Sequence, residues 1–183
     1  MLQLDDESKR ALLNRARFAI ARAIGVDPIP SPQSQIPGGG SGAMAGAFVT
    51  LRIAGELRGC IGYPEPELPL VEVVDRCAVS AAISDPRFPA VDAHEWRRIE
   101  IEISVLGPIE SVADISEVVV GRHGLVVELG RRRGLLLPQV AAERNWTAIE
   151  FAAETCIKAG LRRDAWQNGA ALFKFEADVF GEV

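Results

Sequence analysis

The sequence predicts an α+β fold with a largely antiparallel sheet and flanking helices. Helical and strand patterns come mixed along the chain, without the regular βαβ alternation of a parallel sheet. Two pairs of strand-like segments are joined by short turns that contain glycine, which is typical of antiparallel hairpins. The stretch from Ile99 to Leu106 alternates strictly, with its β-branched side chains on one face. These three observations indicate the fold class.

The composition is that of an ordinary globular protein. The chain has 183 residues, of which 48% are hydrophobic and 25% charged, and its net charge is -5. This charge disfavours a broad nucleic-acid surface, although not a local basic patch. No apolar run approaches the roughly 18 residues of a membrane span, and MLQLDDESKR lacks the pattern of a signal peptide. The three scattered cysteines make no disulfide framework, so we expect a cytoplasmic protein.

The N-terminal segment predicts one helix. Apolar residues recur at helical spacing from Leu2 to Gly25, Asp5 or Asp6 can cap the start, and Gly25 can end it. The arginines of this helix, at positions 10, 15, 17 and 22, are expected to be solvated on its outer face.

A long loop follows the helix. Residues 28–43 are rich in Pro, Gly and Ser, and such a segment cannot build a core. It is either a tether between the helix and the sheet or a flap over the site described next. We therefore divide the single domain 1–183 into the N-terminal helix (1–27), this loop (28–43) and a body (44–183).

The stretch from Gly46 to Pro66, GAFVTLRIAGELRGCIGYPEP, predicts a hairpin that turns at Ala54-Gly55. We call it the LRGCIG hairpin. Glycine is rare inside strands, so Gly59 and Gly62 indicate that another backbone, or a ligand, comes close beside Cys60. Simple alternation divides its second strand into two faces: Leu57, Gly59 and Ile61 on one, and Glu56, Arg58 and Cys60 on the other.

Cys60 is the residue with the best chemical case. Arg58, two residues along the strand, would favour the thiolate, which is the reactive form of cysteine. The alternative is a packed thiol, because cysteine is among the residue types most often buried. His123 as base, with Glu56 or Asp85 as the orienting acid, would complete a hypothetical catalytic set.

Asp85 and Arg87 lie in the segment DPRFP, which breaks a predicted helix from Leu68 to Ser84. They either cap this turn as a plain pair or join a polar cluster that faces Arg58. The candidate binding residues are accordingly Arg58, Gly59, Gly62, Asp85 and Arg87.

The remaining motifs predict structural roles. Cys77 and Cys156 fall on the apolar stripes of predicted helices and should be buried. No metal site is expected, because the chain has two histidines and neither CxxC nor HExxH. Residues 111–122 are interpreted as a short helix. The segment Gly130-Arg131-Arg132-Arg133-Gly134 is the predicted tip of a second hairpin, and its three arginines either grip phosphate or serve solubility.

Several segments carry a family resemblance. LRGCIG, preceded by GAFVTL and followed by DPRFP, resembles the AMMECR-type domain, also called protein A of the AmmeMemoRadiSam system. The segments EIEISVLGPIE, HGLVVELG, RGLLLPQVA and CIKAGL agree with it, so that the resemblance spans residues 46–180. It implies the same fold class, with a larger and a smaller part. Ala45 departs from the basic residue expected there in many relatives, which would weaken the binding of an anion near the hairpin.

The resemblance implies that the protein is a non-catalytic or accessory module. The hairpin would bind a small molecule or a partner protein, and the system's name implies Memo-like and radical-SAM proteins as partners. The alternative is a cysteine-dependent enzyme with Cys60 as nucleophile. Neither a cofactor nor a substrate can be predicted.

Overall fold

The computed structural model describes residues 2, 4–26 and 42–182. The predicted loop over 28–43 therefore lies outside the described residues except for Gly42 and Ala43. The chain divides into two compact units, the larger formed by Leu2–Leu106 with the end of the chain from Asp178, the smaller by Gly107–Ala177. Every strand pairing described is antiparallel, so the predicted α+β class is confirmed. In the described part of the chain, no helix is both long and apolar enough to cross a membrane.

The larger unit begins with helix α1, Asp6–Ala23. It starts at Asp6 because the side chain of Asp5 accepts the backbone N–H of Ser8 at 2.8 Å, which satisfies one of the helix's unpaired donors. Its buried side includes Leu12, Leu13, Ala16, Ile20 and Ala21. The predicted helix and its cap are confirmed.

Two of the four arginines of α1 are not solvated as predicted. Arg15 forms a two-pronged ion pair with Asp75. Arg17 pairs in the same way with Glu182, and its guanidinium lies 4.7 Å from the centre of the Trp96 ring. Both side chains tie α1 to other elements of the larger unit, because an arginine fork matches the two oxygens of a carboxylate.

The sheet of the larger unit runs in the order β2-β1-β3, followed by the C-terminal end of β7, Ala171–Gly181. β1 is Ala47–Ile53, β2 is Glu56–Tyr63 and β3 is Ile99–Leu106. The turn lies at Ala54-Gly55, as predicted, and both residues have positive φ, 52° and 81°. A bulge, however, shifts the register between Leu51 and Arg52, so that Arg58 has no residue opposite it. The strict alternation predicted for β2 is wrong at this point.

Helix α2, Leu70–Ile83, packs against α1, β1 and β2 with its apolar side. Cys77 lies on that side, as predicted, and is fully buried. The close approach of α2 to β2 depends on Gly59. A Cβ atom at this position would lie 2.2 Å from the carbonyl oxygen of Ala81, which no side chain can tolerate.

The smaller unit is built around β5, His123–Leu129, which pairs with β6, Arg132–Leu136, on one side and with β7, Ala171–Gly181, on the other. The two-residue β4, Glu110–Ser111, pairs with β7. Two helices follow β6, α3 at Pro138–Glu143 and α4 at Ala148–Lys158. The core of this unit includes Leu125, Val127, Phe151, Cys156 and Leu172.

Two predictions for the smaller unit are wrong. Residues 111–122 hold the end of β4 and a single 3₁₀ turn, Ile115–Glu117, rather than a helix. Asp114 and Glu117 cap this turn reciprocally, which explains its position. Gly134 is not part of the hairpin tip: a Cβ there would lie 2.5 Å from the backbone nitrogen of Ala159, so this glycine lets α4 approach β6.

We predict that Gly59→Ala lowers the free energy of unfolding by about 1–3 kcal/mol, because the new methyl group forces α2 away from β2. Urea denaturation measures the change. Gly42→Ala is the matched control and should leave stability unchanged, because nothing lies within 4 Å of its Cβ position. Equal stability of Gly59→Ala and wild type would mean that α2 does not approach the strand this closely.

Candidate functional site

The site is organised by the carboxylate of Asp85, which follows the C-terminus of α2. Its Oδ1 accepts from the backbone N–H and from Nε of Arg87, at 3.1 and 2.9 Å. Its Oδ2 accepts from Nη2 of Arg87 at 2.6 Å and from the backbone N–H of Cys60 at 2.9 Å. Only 2% of this side chain is exposed. The Arg87 guanidinium, with help from the Cys60 N–H, outweighs burial and holds the pKa of Asp85 well below its usual range.

The same pair caps the outer edge of β2. Strand β2 is the outermost strand of its sheet, and an edge strand leaves backbone groups without strand partners. At Cys60 the N–H donates to Asp85, while Nη2 of Arg87 donates to the carbonyl oxygen at 3.1 Å. Asp85 and Arg87 therefore pair within their own turn, and they also bind the backbone of Cys60 in the LRGCIG hairpin.

Arg58 binds a carboxylate that sequence reasoning missed. Its Nε and Nη2 donate to the two oxygens of Glu95 at 2.7 and 2.8 Å, and 11% of its side chain is exposed. The bond to Arg58 lowers the pKa of Glu95, although burial opposes it. Glu95 stands 37 residues away in the chain, on a turn capped by Asp92. A single sequence carries no signal for this pair.

One guanidinium nitrogen of Arg58 has no hydrogen-bond acceptor in the described ranges. Nη1 is buried and lacks a hydrogen-bond partner among the described residues. The guanidinium lies 5.9 Å from the centre of the Phe88 ring, and that of Arg87 lies 5.5 Å from the same ring. Phe88 belongs to the DPRFP segment, but its apolar character gave no reason to select it. We call the following set the Arg58 cluster: Arg58, Cys60, Asp85, Arg87, Phe88 and Glu95.

Cys60 is partly exposed, and its sulfur accepts a hydrogen bond from the hydroxyl of Thr50 at 3.3 Å. Thr50, itself buried, was not predicted for the site. A regular hairpin about Ala54-Gly55 would place Val49 opposite Cys60, and the bulge at Arg58 brings Thr50 there instead. Thr50 was not predicted because nothing in the sequence indicates the bulge at Arg58.

The two glycines of the site have packing roles. The space beside Gly59 is occupied by the backbone of Ala81, and the space beside Gly62 by the ring of Phe48. Gly59 therefore makes room for another backbone, which is the first of the two predicted reasons for a glycine beside Cys60.

His123 lies in the smaller unit, at the start of β5, and Cys60 lies in the larger. The imidazole Nδ1 accepts the backbone N–H of Val119 at 2.9 Å, which leaves the proton of the neutral ring on Nε2. His123 lines a cavity of about 200 Å³ together with Glu110, Lys174 and Glu176. Burial, and then Lys174 and Arg122, lower its pKa. Its pairing with Cys60 as a catalytic base stays a prediction.

The two other cysteines lie in the hydrophobic cores of their units. Cys77 and Cys156 are fully buried, as predicted, and burial raises the pKa of both thiols, that of Cys77 to about 12. Within the described ranges, no three His, Cys, Asp or Glu side chains are placed to hold a metal ion.

We predict that iodoacetamide labels Cys60 faster than Cys77 or Cys156, because only Cys60 is partly exposed. Thr50→Val should slow the labelling of Cys60 about 2- to 10-fold, the equivalent of one lost hydrogen bond to the thiolate. Mass spectrometry of the labelled peptides measures both rates, and Cys60→Ser verifies the assignment. Faster labelling of either helical cysteine would contradict the burial of these two thiols.

Comparison with known proteins places this chain in a family. The AMMECR1 family model matches residues 13–180. Protein Mbar_A1807 from Methanosarcina barkeri is 41% identical, over 98% of this chain and 92% of its own length. A protein from Methanothermobacter thermautotrophicus is 49% identical over 75% of each chain.

A solved structure agrees with these relatives. The crystal structure of the uncharacterized protein PH0010 from Pyrococcus horikoshii matches with a TM-score of 0.91 and 39% identity, covering 99% of this chain and 94% of that one. The resemblance carried by LRGCIG and DPRFP is confirmed: the chain belongs to the AMMECR1 family.

Proposed function

We propose that the protein is an accessory binding module whose Arg58 cluster binds an oxygen-bearing group, a carboxylate or a phosphate, of a small molecule. The observation that carries this proposal is the buried Nη1 of Arg58, which has no acceptor within the described part of the chain. An unpaired buried donor costs about 1–3 kcal/mol. A ligand oxygen that accepts from Nη1 would recover that free energy.

The rest of the cluster supports a prebuilt site. Arg58 and Arg87 are each held in place by two bonds to a carboxylate, and Asp85 also fixes the backbone of Cys60. A ligand would therefore lose little conformational entropy in ordering these side chains, although a neighbouring group must move before an oxygen reaches the buried Nη1. The side chain of Arg87 is 47% exposed and offers a second guanidinium face.

The charge of the cluster limits its affinity. Two guanidiniums and two carboxylates sum to zero, so attraction of an anion from a distance is weak. Simple anions should therefore bind in the millimolar range, and a natural ligand would need further contacts. Ala45 is buried in the core, and the effect of a basic residue at this position on anion binding stays a prediction.

Catalysis by Cys60 is the second candidate. The hydroxyl of Thr50 donates to its sulfur and favours the thiolate, and the sulfur is partly exposed. A nucleophilic cysteine also needs a base. The predicted base, His123, already accepts the backbone N–H of Val119, and burial, then Lys174 and Arg122 of the smaller unit, lower its pKa. Binding therefore accounts for more of the geometry than catalysis does.

A partner protein can present the same chemistry as a small molecule. An aspartate or glutamate side chain, or a bound phosphate, carries the oxygen that Nη1 lacks. The family's system name makes Memo-like and radical-SAM proteins the first partners to test. If such a complex forms through this cluster, substitution of Arg58 should weaken it.

We predict that inorganic phosphate and acetate cause saturable NMR shifts at the Arg58 side chain and at the amides of Cys60 and Arg87. Arg58→Lys keeps the charge but removes the guanidinium fork. In this variant, the shifts at the amides of Cys60 and Arg87 should no longer saturate with anion concentration. The matched control is Arg52→Lys in the same hairpin, where binding should persist. Cys60→Ser should also keep binding, because the proposal assigns the thiol no covalent role.

Two results would contradict the proposal. One is a wild-type spectrum without saturable shifts at millimolar anion, and the other is an equal response of Arg58→Lys and wild type. Circular dichroism and the unfolding midpoint show whether each variant is folded before its spectrum is interpreted.

A further inference from the structure

A second candidate site lies in the larger unit, away from the Arg58 cluster. A groove of about 910 Å³ runs between α1 and α2 beside the end of β2. Its size falls in the range of small-molecule sites, roughly 300–1,000 Å³. We call it the helical groove.

The helical groove is lined by short side chains and by two aromatic rings. Ala19, Ala23 and Ser80 line it with short side chains, which lets a flat molecule come close to the helix backbones. Phe18 and Tyr63 supply rings, and Tyr63 is 41% exposed at the end of β2. Rings of this kind stack on a planar heterocycle.

The charge of the groove is opposite to that of the chain. Three arginines and one aspartate line it, in a protein of net charge -5. Arg15 is neutralised by Asp75. Arg76 shares a surface ion pair with Glu72, and such exposed pairs are weak and easily exchanged for another anion.

Of the three arginines that line the groove, Arg22 has no carboxylate to neutralise it within the described part of the chain. It is exposed on the last turn of α1, and its guanidinium lies 5.9 Å from the Phe18 ring. Among residues 2, 4–26 and 42–182 it has no carboxylate partner. A guanidinium beside aromatic rings and near Arg76 suits an anionic group attached to a ring.

From these features we infer that the helical groove binds a nucleoside phosphate: its base between Phe18 and Tyr63, its phosphates at Arg22 and Arg76. The net charge of -5 disfavours a nucleic-acid strand, which would need a wider basic surface. The groove uses none of the residues of the Arg58 cluster, so this inference stands or falls independently of the proposed function.

The test is a calorimetric titration of the full chain with ATP, compared with tripolyphosphate and adenosine. ATP should bind saturably and at least about tenfold more tightly than either fragment, a difference of 1.4 kcal/mol or more. Arg22→Ser and Tyr63→Ala should each weaken ATP binding at least about fivefold. Both residues are exposed, so their substitution leaves the core intact.

Arg10→Ser is the matched control. Arg10 is exposed on the same helix but does not line the groove, so this variant loses the same charge and should bind ATP like wild type. No saturable binding of ATP would overturn the inference. Equal losses of ATP affinity in Arg10→Ser and Arg22→Ser would mean that ATP is held by general charge attraction, and would overturn the inference as well. Binding of tripolyphosphate as tight as that of ATP would have the same meaning.

Discussion

The buried carboxylate of Asp85 is the constraint on which the candidate site depends. Four donors converge on its two oxygens, three from Arg87 and one from the backbone of Cys60. These bonds join the C-terminal end of α2 to the outer edge of β2, although the two segments are 25 residues apart. Because an edge strand exposes backbone donors and acceptors, this capping both holds the LRGCIG hairpin and blocks pairing with another strand at that point.

Two further constraints set what the hairpin presents. Gly59 admits the backbone of α2 on one face of β2, which no other residue would allow. The bulge at Arg58 then shifts the register by one residue, so that Cys60 faces the Thr50 hydroxyl. The guanidinium of Arg58 binds both carboxylate oxygens of Glu95. These contacts are the reason why we propose binding of an oxygen atom by Arg58 rather than activation of Cys60.

Local patterns predicted much of this structure. The cap at Asp5, the turn at Ala54-Gly55 and the buried side of α2 with Cys77 follow from spacing and turn chemistry. Two of the failures share one cause, because the ion pair of Arg17 with Glu182 and the pairing of Arg58 with Glu95 join residues distant in sequence. Even Gly134, interpreted as a turn residue, is needed for the approach of α4, which the local sequence does not reveal.

The most direct test of the central claim is hydrogen exchange at the amide of Cys60, measured by NMR in wild type and in Asp85→Ala. If the carboxylate caps this N–H, the amide exchanges slowly in wild type. It should then exchange like a solvent-exposed edge amide in the variant, while β1 amides at Val49 and Leu51 stay protected. Fast exchange in wild type, or unchanged protection in folded Asp85→Ala, would contradict the account.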